Sequence, residues 1–254
     1  MTSFDVVLLV IAGIGGGLAG SIAGLASLTT YPALLAVGLS PVTANVTNTV
    51  ALVSSSVGSV SASRPELIGQ VRRVRPMAVA GGLGGIAGAA LLLLTPAETF
   101  ELVVPWLIGL ASIAILVRRP LIDVAIADAH HAGRTVPRSA LAAVGAIGVY
   151  AGYFGAGAGV LLLALLLFVF GEAVARMNAV KNVVLGVANG IAAVGMVLFG
   201  DVRWSAAVPL AAGLFVGGRI GPVIVRRLPE GPFRLGIAIA GLGLAVKLGL
   251  DAYG

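Results

Sequence analysis

The segment Ile14-Gly15-Gly16-Gly17-Leu18-Ala19-Gly20-Ser21-Ile22-Ala23-Gly24 is the most informative part of this chain, because a diverged copy of it follows later. The copy reads Ala151-Gly152-Tyr153-Phe154-Gly155-Ala156-Gly157-Ala158-Gly159. The flanking sequence also recurs in order, so that residues 13–117 correspond to residues 145–247. A helical unit used twice in an apolar chain is typical of membrane transporters.

The composition predicts a protein that resides in a lipid bilayer. Of its 254 residues, 59% are hydrophobic and only 10% are charged, and the mean hydropathy is +1.09. Soluble globular proteins carry about 25% charged residues. The apolar runs 77–94, 102–117, 140–170 and 183–199 are mostly close to or above the roughly 17–25 residues that span a bilayer. We therefore expect a multi-pass protein of the cell inner (plasma) membrane.

Several functional classes are disfavoured by the same composition. The net charge is +6, but the arginines lie between apolar runs, as in cytoplasmic loops, so no nucleic-acid partner is expected. The absence of cysteine excludes disulfides, thiolate metal sites and cysteine catalysis. The glycine clusters lie in apolar helix with no preceding strand or acidic ribose partner, so no nucleotide cofactor is expected. The cluster at 81–88 is interpreted as helix packing.

The sequence predicts ten helical segments, five in each half. The first repeat, residues 1–118, contains segments 4–23, 26–37, 41–63, 74–94 and 99–117. The second repeat, residues 138–254, contains segments 138–156, 159–170, 173–199, 204–226 and 232–252. A polar linker at 119–137, which includes His130 and His131, joins the two repeats. The first apolar run lacks the basic start of a signal peptide, so it is expected to remain as a helix.

Equivalent loops in the two halves carry opposite charge. Loop 64–75 has four arginines, whereas its counterpart 200–204 has one arginine and one aspartate. Loop 95–99 has no Lys or Arg, whereas its counterpart 226–234 has three arginines. Because positive loops stay in the cytoplasm, the repeats are predicted to be inverted, with both termini outside. The predicted fold is an all-α polytopic membrane protein of two inverted repeats, with five or three crossings in each.

The glycine segments are predicted to break two helices at corresponding positions. Each glycine costs about 1 kcal/mol in a helix relative to alanine. The segments that follow, 26–37 and 159–170, reach about 18 Å, short of the roughly 30 Å hydrocarbon core. Paired broken helices indicate a transporter binding site, and their N-terminal ends suit an anion. The candidate substrate-binding glycines are Gly20, Gly24, Gly155 and Gly157. Close packing of small residues is the alternative interpretation.

A polar motif at 43–49 corresponds to a second one at 176–182. The candidate substrate-binding side chains from the two motifs are Asn45, Asn48, Thr49, Asn178, Lys181 and Asn182. Within each motif, polar residues three apart share a helix face, and the two faces are expected to meet in one compact site. Lys181 would supply positive charge there, and amides and hydroxyls would bind oxygen atoms. Interhelical hydrogen bonding by the asparagines and snorkelling of Lys181 to the cytoplasmic interface remain alternatives.

The sequence of this chain resembles that of the TauE/SafE sulfite exporter family, also called the toluene-sulfonate uptake permease family. The resemblance rests on the paired glycine segments, Gly38-Leu39-Ser40-Pro41 before Ala44-Asn45-Val46-Thr47-Asn48, Gly200-Asp201-Val202-Arg203-Trp204 and Arg226-Arg227-Leu228-Pro229. It implies transport of a small sulfur-containing anion such as sulfite, sulfoacetate or another organosulfonate. It also implies coupling to an ion gradient, with a proton or sodium as the coupling ion.

The leading hypothesis is a secondary transporter that binds its anion between the repeats and exposes it alternately to each side. An anion channel of the same fold is the first alternative. An intramembrane enzyme would need a nucleophile with its base, or a metal cluster, within the bilayer. The adjacent histidines lie in the polar linker, and the serines at 54–56 have no evident base, so an enzyme is not expected. A homo-oligomer and either direction of transport are compatible with the sequence.

Overall fold

The computed structural model describes residues 1–116, 136–225 and 231–253. Over these residues the chain is helical and has no strand. The helices are α1 (Ser3–Ala23), α2 (Ala26–Ala36), α3 (Pro41–Ala62), α4 (Arg64–Leu67), α5 (Val71–Leu94), α6 (Ala97–Leu116), α7 (Arg138–Tyr153), α8 (Ala158–Phe170), α9 (Val174–Phe199), α10 (Trp204–Val225) and α11 (Gly231–Tyr253). All ten predicted segments are confirmed as helices. The short α4 was not predicted, and most of the 119–137 linker and of the 226–234 loop lies outside the described residues.

Four of the described helices are long and apolar enough to cross a bilayer: Ser3–Ala23, Val71–Leu94, Val174–Phe199 and Trp204–Val223. Large apolar side chains such as Phe4, Leu94 and Phe199 lie exposed on the outside of the bundle. In water such a surface would be unfavourable, whereas lipid tails solvate it. The prediction of an all-α polytopic membrane protein is confirmed.

Local sequence explains where the helices of the first half begin and end. At the start of α1, the Thr2 hydroxyl accepts a hydrogen bond from the Asp5 amide at 3.2 Å, and the Asp5 carboxylate accepts one from the Thr2 amide at 2.6 Å. This reciprocal capping box satisfies two amides that the helix leaves unpaired. The α3 helix begins with Ser40 as its N-cap and Pro41 in its first turn, where a missing N–H costs nothing.

The helices pack in two bundles that each combine both halves of the chain. In bundle A, α10 from the second half packs along α1 and α3. In bundle B, α5 from the first half packs along α7 and α9. The α3 and α9 helices join the bundles, and α6 packs against α11. Exchanging the two halves converts bundle A into bundle B, so α5 and α10, the fourth predicted segments of their halves, each lie in the bundle of the other half.

Glycine faces allow these exchanged helices to approach closely. A Cβ atom at Gly88 of α5 would lie 2.1 Å from the Val149 carbonyl oxygen of α7. A Cβ atom at Gly217 of α10 would lie 2.1 Å from the Ile14 carbonyl oxygen of α1. Real side chains do not tolerate such distances, so the glycines are required for backbone-to-backbone contact. The packing interpretation of the cluster at 81–88 is confirmed.

Candidate functional site

The two glycine breaks meet at the centre of the protein. Gly24 ends α1 in the left-handed conformation, with φ of 76°, and Gly157 precedes α8 with φ of 75°. A Cβ atom at Gly24 would lie 2.5 Å from the Gly159 backbone, and one at Gly159 would lie 2.4 Å from the Gly24 Cα. The breaks therefore touch each other through bare backbone, which no residue with a side chain would permit.

After its break, the first half folds back on itself. A Cβ atom at Gly20 would lie 2.7 Å from the Ala26 Cβ, and one at Gly16 would lie 2.4 Å from the Thr30 side chain. The later residue of α2, Thr30, faces the earlier residue of α1, Gly16, so the two helices are antiparallel. The N-terminus of α2 is thus placed beside the C-terminus of α1, in the protein interior.

Side chains from the opposite half bind the carbonyl groups at each break. Asn178 Nδ2 of α9 donates to the Ser21 carbonyl at 2.7 Å, and Asn45 Nδ2 of α3 donates to the Tyr153 carbonyl at 2.7 Å. Ser21 and Tyr153 occupy equivalent positions in the two repeats. Both asparagines are buried, and neither Oδ1 atom has a hydrogen-bond partner among the described residues. Each repeat therefore caps the broken helix of the other.

Lys181 extends this arrangement with a positive charge. Its side chain is only 1% exposed, and Nζ donates to the Gly20 carbonyl at 3.1 Å. The side chain therefore points into the protein beside the break of the first half. Snorkelling to the cytoplasmic interface, the alternative interpretation of this residue, is wrong.

A cavity of about 60 Å³ lies against Lys181 and both breaks. The first residues of α2 and of α8 line it, and neither helix has a side-chain N-cap. Helix N-termini present unpaired amides and the positive end of the helix dipole. Asn182 also lines the cavity, and its buried Nδ2 has no acceptor among the described residues. The cavity thus combines backbone amides, an ammonium group and a free amide donor, all of which favour an anion.

The predicted site residues divide into two groups around this cavity. Gly20, Gly24, Gly155, Lys181 and Asn182 line it, whereas Asn45, Asn48, Thr49, Asn178 and Gly157 lie outside its lining. Asn48 Oδ1 accepts from the Thr30 hydroxyl at 2.5 Å, and the Thr49 hydroxyl donates to the Asn45 carbonyl at 3.0 Å. Of the two polar faces, only Lys181 and Asn182 therefore line this cavity, and the site they would form with Asn45, Asn48 and Thr49 stays a prediction.

A contact between the two helices further along the chain is consistent with this division. The α3 and α9 helices pack closely where a Cβ atom at Gly186 would lie 3.0 Å from the Ser56 Cβ. That contact is about two turns beyond the α3 motif and one turn beyond the α9 motif. As a result α3 contributes Ser55, Ser56 and Ser59 to the cavity, residues that were not predicted as ligands. Their spacing at i and i+4 was the signal that could have identified them.

The reciprocal caps predict equal stability losses in two variants. Asn45→Leu and Asn178→Leu each remove one amide and leave a buried carbonyl unpaired, which costs about 1–3 kcal/mol. Thermal unfolding in detergent should show both variants well below the wild type and close to each other. Asn182→Leu is the matched control, because its Nδ2 donates no described hydrogen bond. An Asn178→Leu protein as stable as the control would contradict the capping role.

Comparison with known proteins places the chain among transporters. The family described as Sulfite exporter TauE/SafE matches residues 9–248. This chain belongs to the TauE/SafE family. It is 26% identical over 246 residues to probable membrane transporter protein ORF9 of Sinorhizobium sp., covering 96% of this chain and 92% of that protein. It is 27% identical over 242 residues to probable membrane transporter protein YfcA of Escherichia coli K12, covering 94% and 87%.

No solved structure matches this TauE/SafE chain significantly. Family membership, nearly full-length similarity to two probable transporters and the apolar spanning helices agree with one another. The TauE/SafE protein is an integral membrane transporter.

Proposed function

We propose that this TauE/SafE protein is a secondary transporter of a small sulfur-containing anion, which binds in the cavity between the two helix breaks. The observation that carries the proposal is the convergence of two helix N-termini, neither with a side-chain cap, and the buried Lys181 on one cavity. An anion in this cavity gains both hydrogen bonds and charge compensation, whereas water or a neutral solute gains no charge compensation.

The size of the cavity favours a compact oxyanion such as sulfite. At about 60 Å³ it offers space for several water molecules, since a cavity needs roughly 10–15 Å³ to hold one water. It is well below the roughly 150 Å³ of an engineered cavity that holds benzene. Sulfoacetate and other organosulfonates carry carbon groups beyond the oxyanion, so they require this cavity to widen.

Two further observations support inverted repeats that provide alternating access. The equivalent loops have opposite charge bias, and the packing of the helices is preserved when the halves are exchanged. In this proposal bundles A and B, and not the two sequence repeats, move relative to each other, because α5 and α10 each pack in the other half's bundle. Anion binding between the bundles then couples to their relative movement.

Transport assays in proteoliposomes test the function. Sulfite, sulfoacetate and an aromatic sulfonate should be offered separately, with imposed proton or sodium gradients and with no gradient. We expect saturable sulfite uptake that one of the gradients increases. Uptake of labelled sulfite should also be stimulated by unlabelled sulfite inside, since counterflow distinguishes a carrier from a channel. The absence of both flux and binding across this panel would refute the proposed substrate class.

Disulfide cross-linking tests the moving bodies, because the chain has no cysteine of its own. Cysteines replacing Ser56 and Gly186 would link bundle A to bundle B if their Cβ atoms, about 3.0 Å apart, separate by about 0.5 Å to reach the range of ordinary disulfides. Cysteines replacing Ala89 and Gly195 would link α5 to α9 within bundle B, with Cβ atoms 4.0 Å apart, inside the range of ordinary disulfides. Oxidation should stop transport in the first protein and not in the second. Full transport by the cross-linked first protein would contradict movement of the bundles.

A further inference from the structure

A second, larger cavity lies away from the helix breaks and has a different character. Its volume is about 850 Å³, and it is bounded by the turn between α4 and α5 and by the first turns of α5, α7 and α9. Among the described residues, three arginines line it, Arg72, Arg73 and Arg176, together with the carboxylate of Glu172. The formal charge of these four groups is positive, and nothing in the proposed transport cycle uses them.

Glu172 organises two of the three arginines rather than neutralising the cavity. Arg73 forms a close ion pair with Glu172, Arg176 Nη1 lies 3.2 Å from the same carboxylate, and Gln70 Nε2 donates to it at 3.3 Å. The Arg73 guanidinium also lies over the Phe170 ring, 4.8 Å from its centroid. Burial raises the pKa of Glu172, but the hydrogen bonds and charges of the arginines lower it by more, so the net shift is downward. The carboxylate is therefore ionised at neutral pH and holds both guanidinium groups at the cavity wall.

Backbone polarity adds to the positive potential of this cavity. The α5, α7 and α9 helices all begin at its edge, and none of them has a side-chain N-cap. Three helix N-termini and three arginines provide hydrogen-bond donors for phosphate oxygens, and their positive charge attracts the phosphate. A phosphate monoester or diester is the ligand chemistry that this combination fits.

The apolar part of the cavity indicates where the phosphate would come from. Ile68 and Val71 line the cavity and are 73% and 57% exposed, and Pro76, Val136 and Leu141 complete the apolar wall. A free inorganic ion leaves most of 850 Å³ empty and gains nothing from that wall. A phospholipid fits both parts, because its headgroup is anionic and its acyl chains are apolar. Basic pockets beside membrane helices on the cytoplasmic side bind anionic headgroups in this way.

We propose that this cavity binds the headgroup of an anionic phospholipid, with the phosphate at Arg72, Arg73 and Arg176 and the acyl chains against Ile68 and Val71. The occupied site joins the ends of α5, α7 and α9, which are the helices of bundle B. Lipid binding should therefore stabilise bundle B as a unit, independently of any anion in the central cavity.

Native mass spectrometry and thermal unfolding of the delipidated, full-length protein in detergent test the site. The probes are phosphatidylglycerol, phosphatidylcholine, glycerol phosphate and inorganic phosphate. We expect saturable binding of phosphatidylglycerol with a raised Tm, and much weaker effects from the other three. The double variant Arg72→Gln/Arg176→Gln should bind phosphatidylglycerol roughly 30-fold more weakly, since each basic residue near a lipid surface contributes about one factor of five.

The exposed Arg203 provides the matched control, because it does not line this cavity. Arg203→Gln should bind phosphatidylglycerol as the wild type does, whereas Arg72→Gln should bind it more weakly. Arg72 makes no described ion pair, so its replacement should leave the Tm of the lipid-free protein unchanged. Equal affinity of the double variant and the wild type would overturn the proposal. Stabilisation by glycerol phosphate or inorganic phosphate equal to that by the lipid would also overturn it, in favour of a soluble ligand.

Discussion

Replacing Lys181 by methionine is expected to weaken anion binding by roughly 10- to 100-fold, because hydrogen bonds to a charged group contribute about 1.5–3 kcal/mol. Methionine keeps much of the length of lysine and fills the same space, but it carries neither charge nor donor. Lys181 is buried, lines the central cavity and donates to the Gly20 carbonyl. The variant removes the only ammonium group among the described residues of this cavity.

The measurement is the rise in Tm that sulfite produces, since a ligand that binds only the folded state stabilises it. In the wild type this rise should increase with sulfite concentration, and in Lys181→Met the same rise should require roughly 10- to 100-fold more sulfite. Lys247→Met is the matched control, because Lys247 is the other lysine of the chain and lies exposed on α11. We expect the unliganded Tm of Lys181→Met to stay within about 4 °C of wild type, since losing the hydrogen bonds of Lys181 is offset by no longer burying a charge. Undiminished sulfite protection in this variant would remove Lys181 from the site.

Placing a single methyl group at Gly24 is expected to destabilise the protein by about 2–5 kcal/mol. Part of the cost is overpacking, about 1–3 kcal/mol, because the new Cβ atom would lie 2.5 Å from the Gly159 backbone. The remainder is the left-handed backbone, with φ of 76°, which costs a residue with a side chain about 1–2 kcal/mol. Neither backbone can retreat easily, because each one ends or begins a helix at the centre of the protein.

Three other glycines separate these two costs. Gly38→Ala tests the left-handed conformation alone, because Gly38 has φ of 87° and nothing within 4 Å of a new Cβ atom. Gly159→Ala tests overpacking alone, since its φ is not positive. Gly190→Ala should be neutral or stabilising by up to about 1 kcal/mol, because it lies in open space within α9. The yield of monodisperse protein and its Tm provide the measurement. A Gly24→Ala protein as stable as Gly38→Ala would show that contact between the breaks is dispensable.

The helices could be predicted well from the sequence because their ends depend on local signals. Apolar length, the Ser40-Pro41 start of α3 and the glycines at 24 and 157 act within a few residues, and the structure begins or ends helices at each of them. The α4 helix was missed because its four residues bury no apolar face and leave no periodicity to detect.

The site could be predicted only in part, because helical periodicity gives the face of a residue and not the point where two helices cross. Matching Asn45 with Asn178 correctly identified equivalent residues, yet neither asparagine lines the cavity, because each donates to a backbone carbonyl at a helix break. The crossing at Ser56 and Gly186 instead brings serines of α3 to the cavity. The exchange of α5 and α10 between bundles was also not predictable, since it depends on which glycine faces fit together across more than fifty residues of chain.

The reciprocal caps of Asn45 and Asn178 make the two halves of the chain depend on each other. The carbonyl at each break accepts its hydrogen bond from an asparagine of the other half. If one half were produced alone, its break would lack this donor, and a buried carbonyl without a donor costs about 1–3 kcal/mol. We therefore expect each half expressed separately to be less stable than the two halves together.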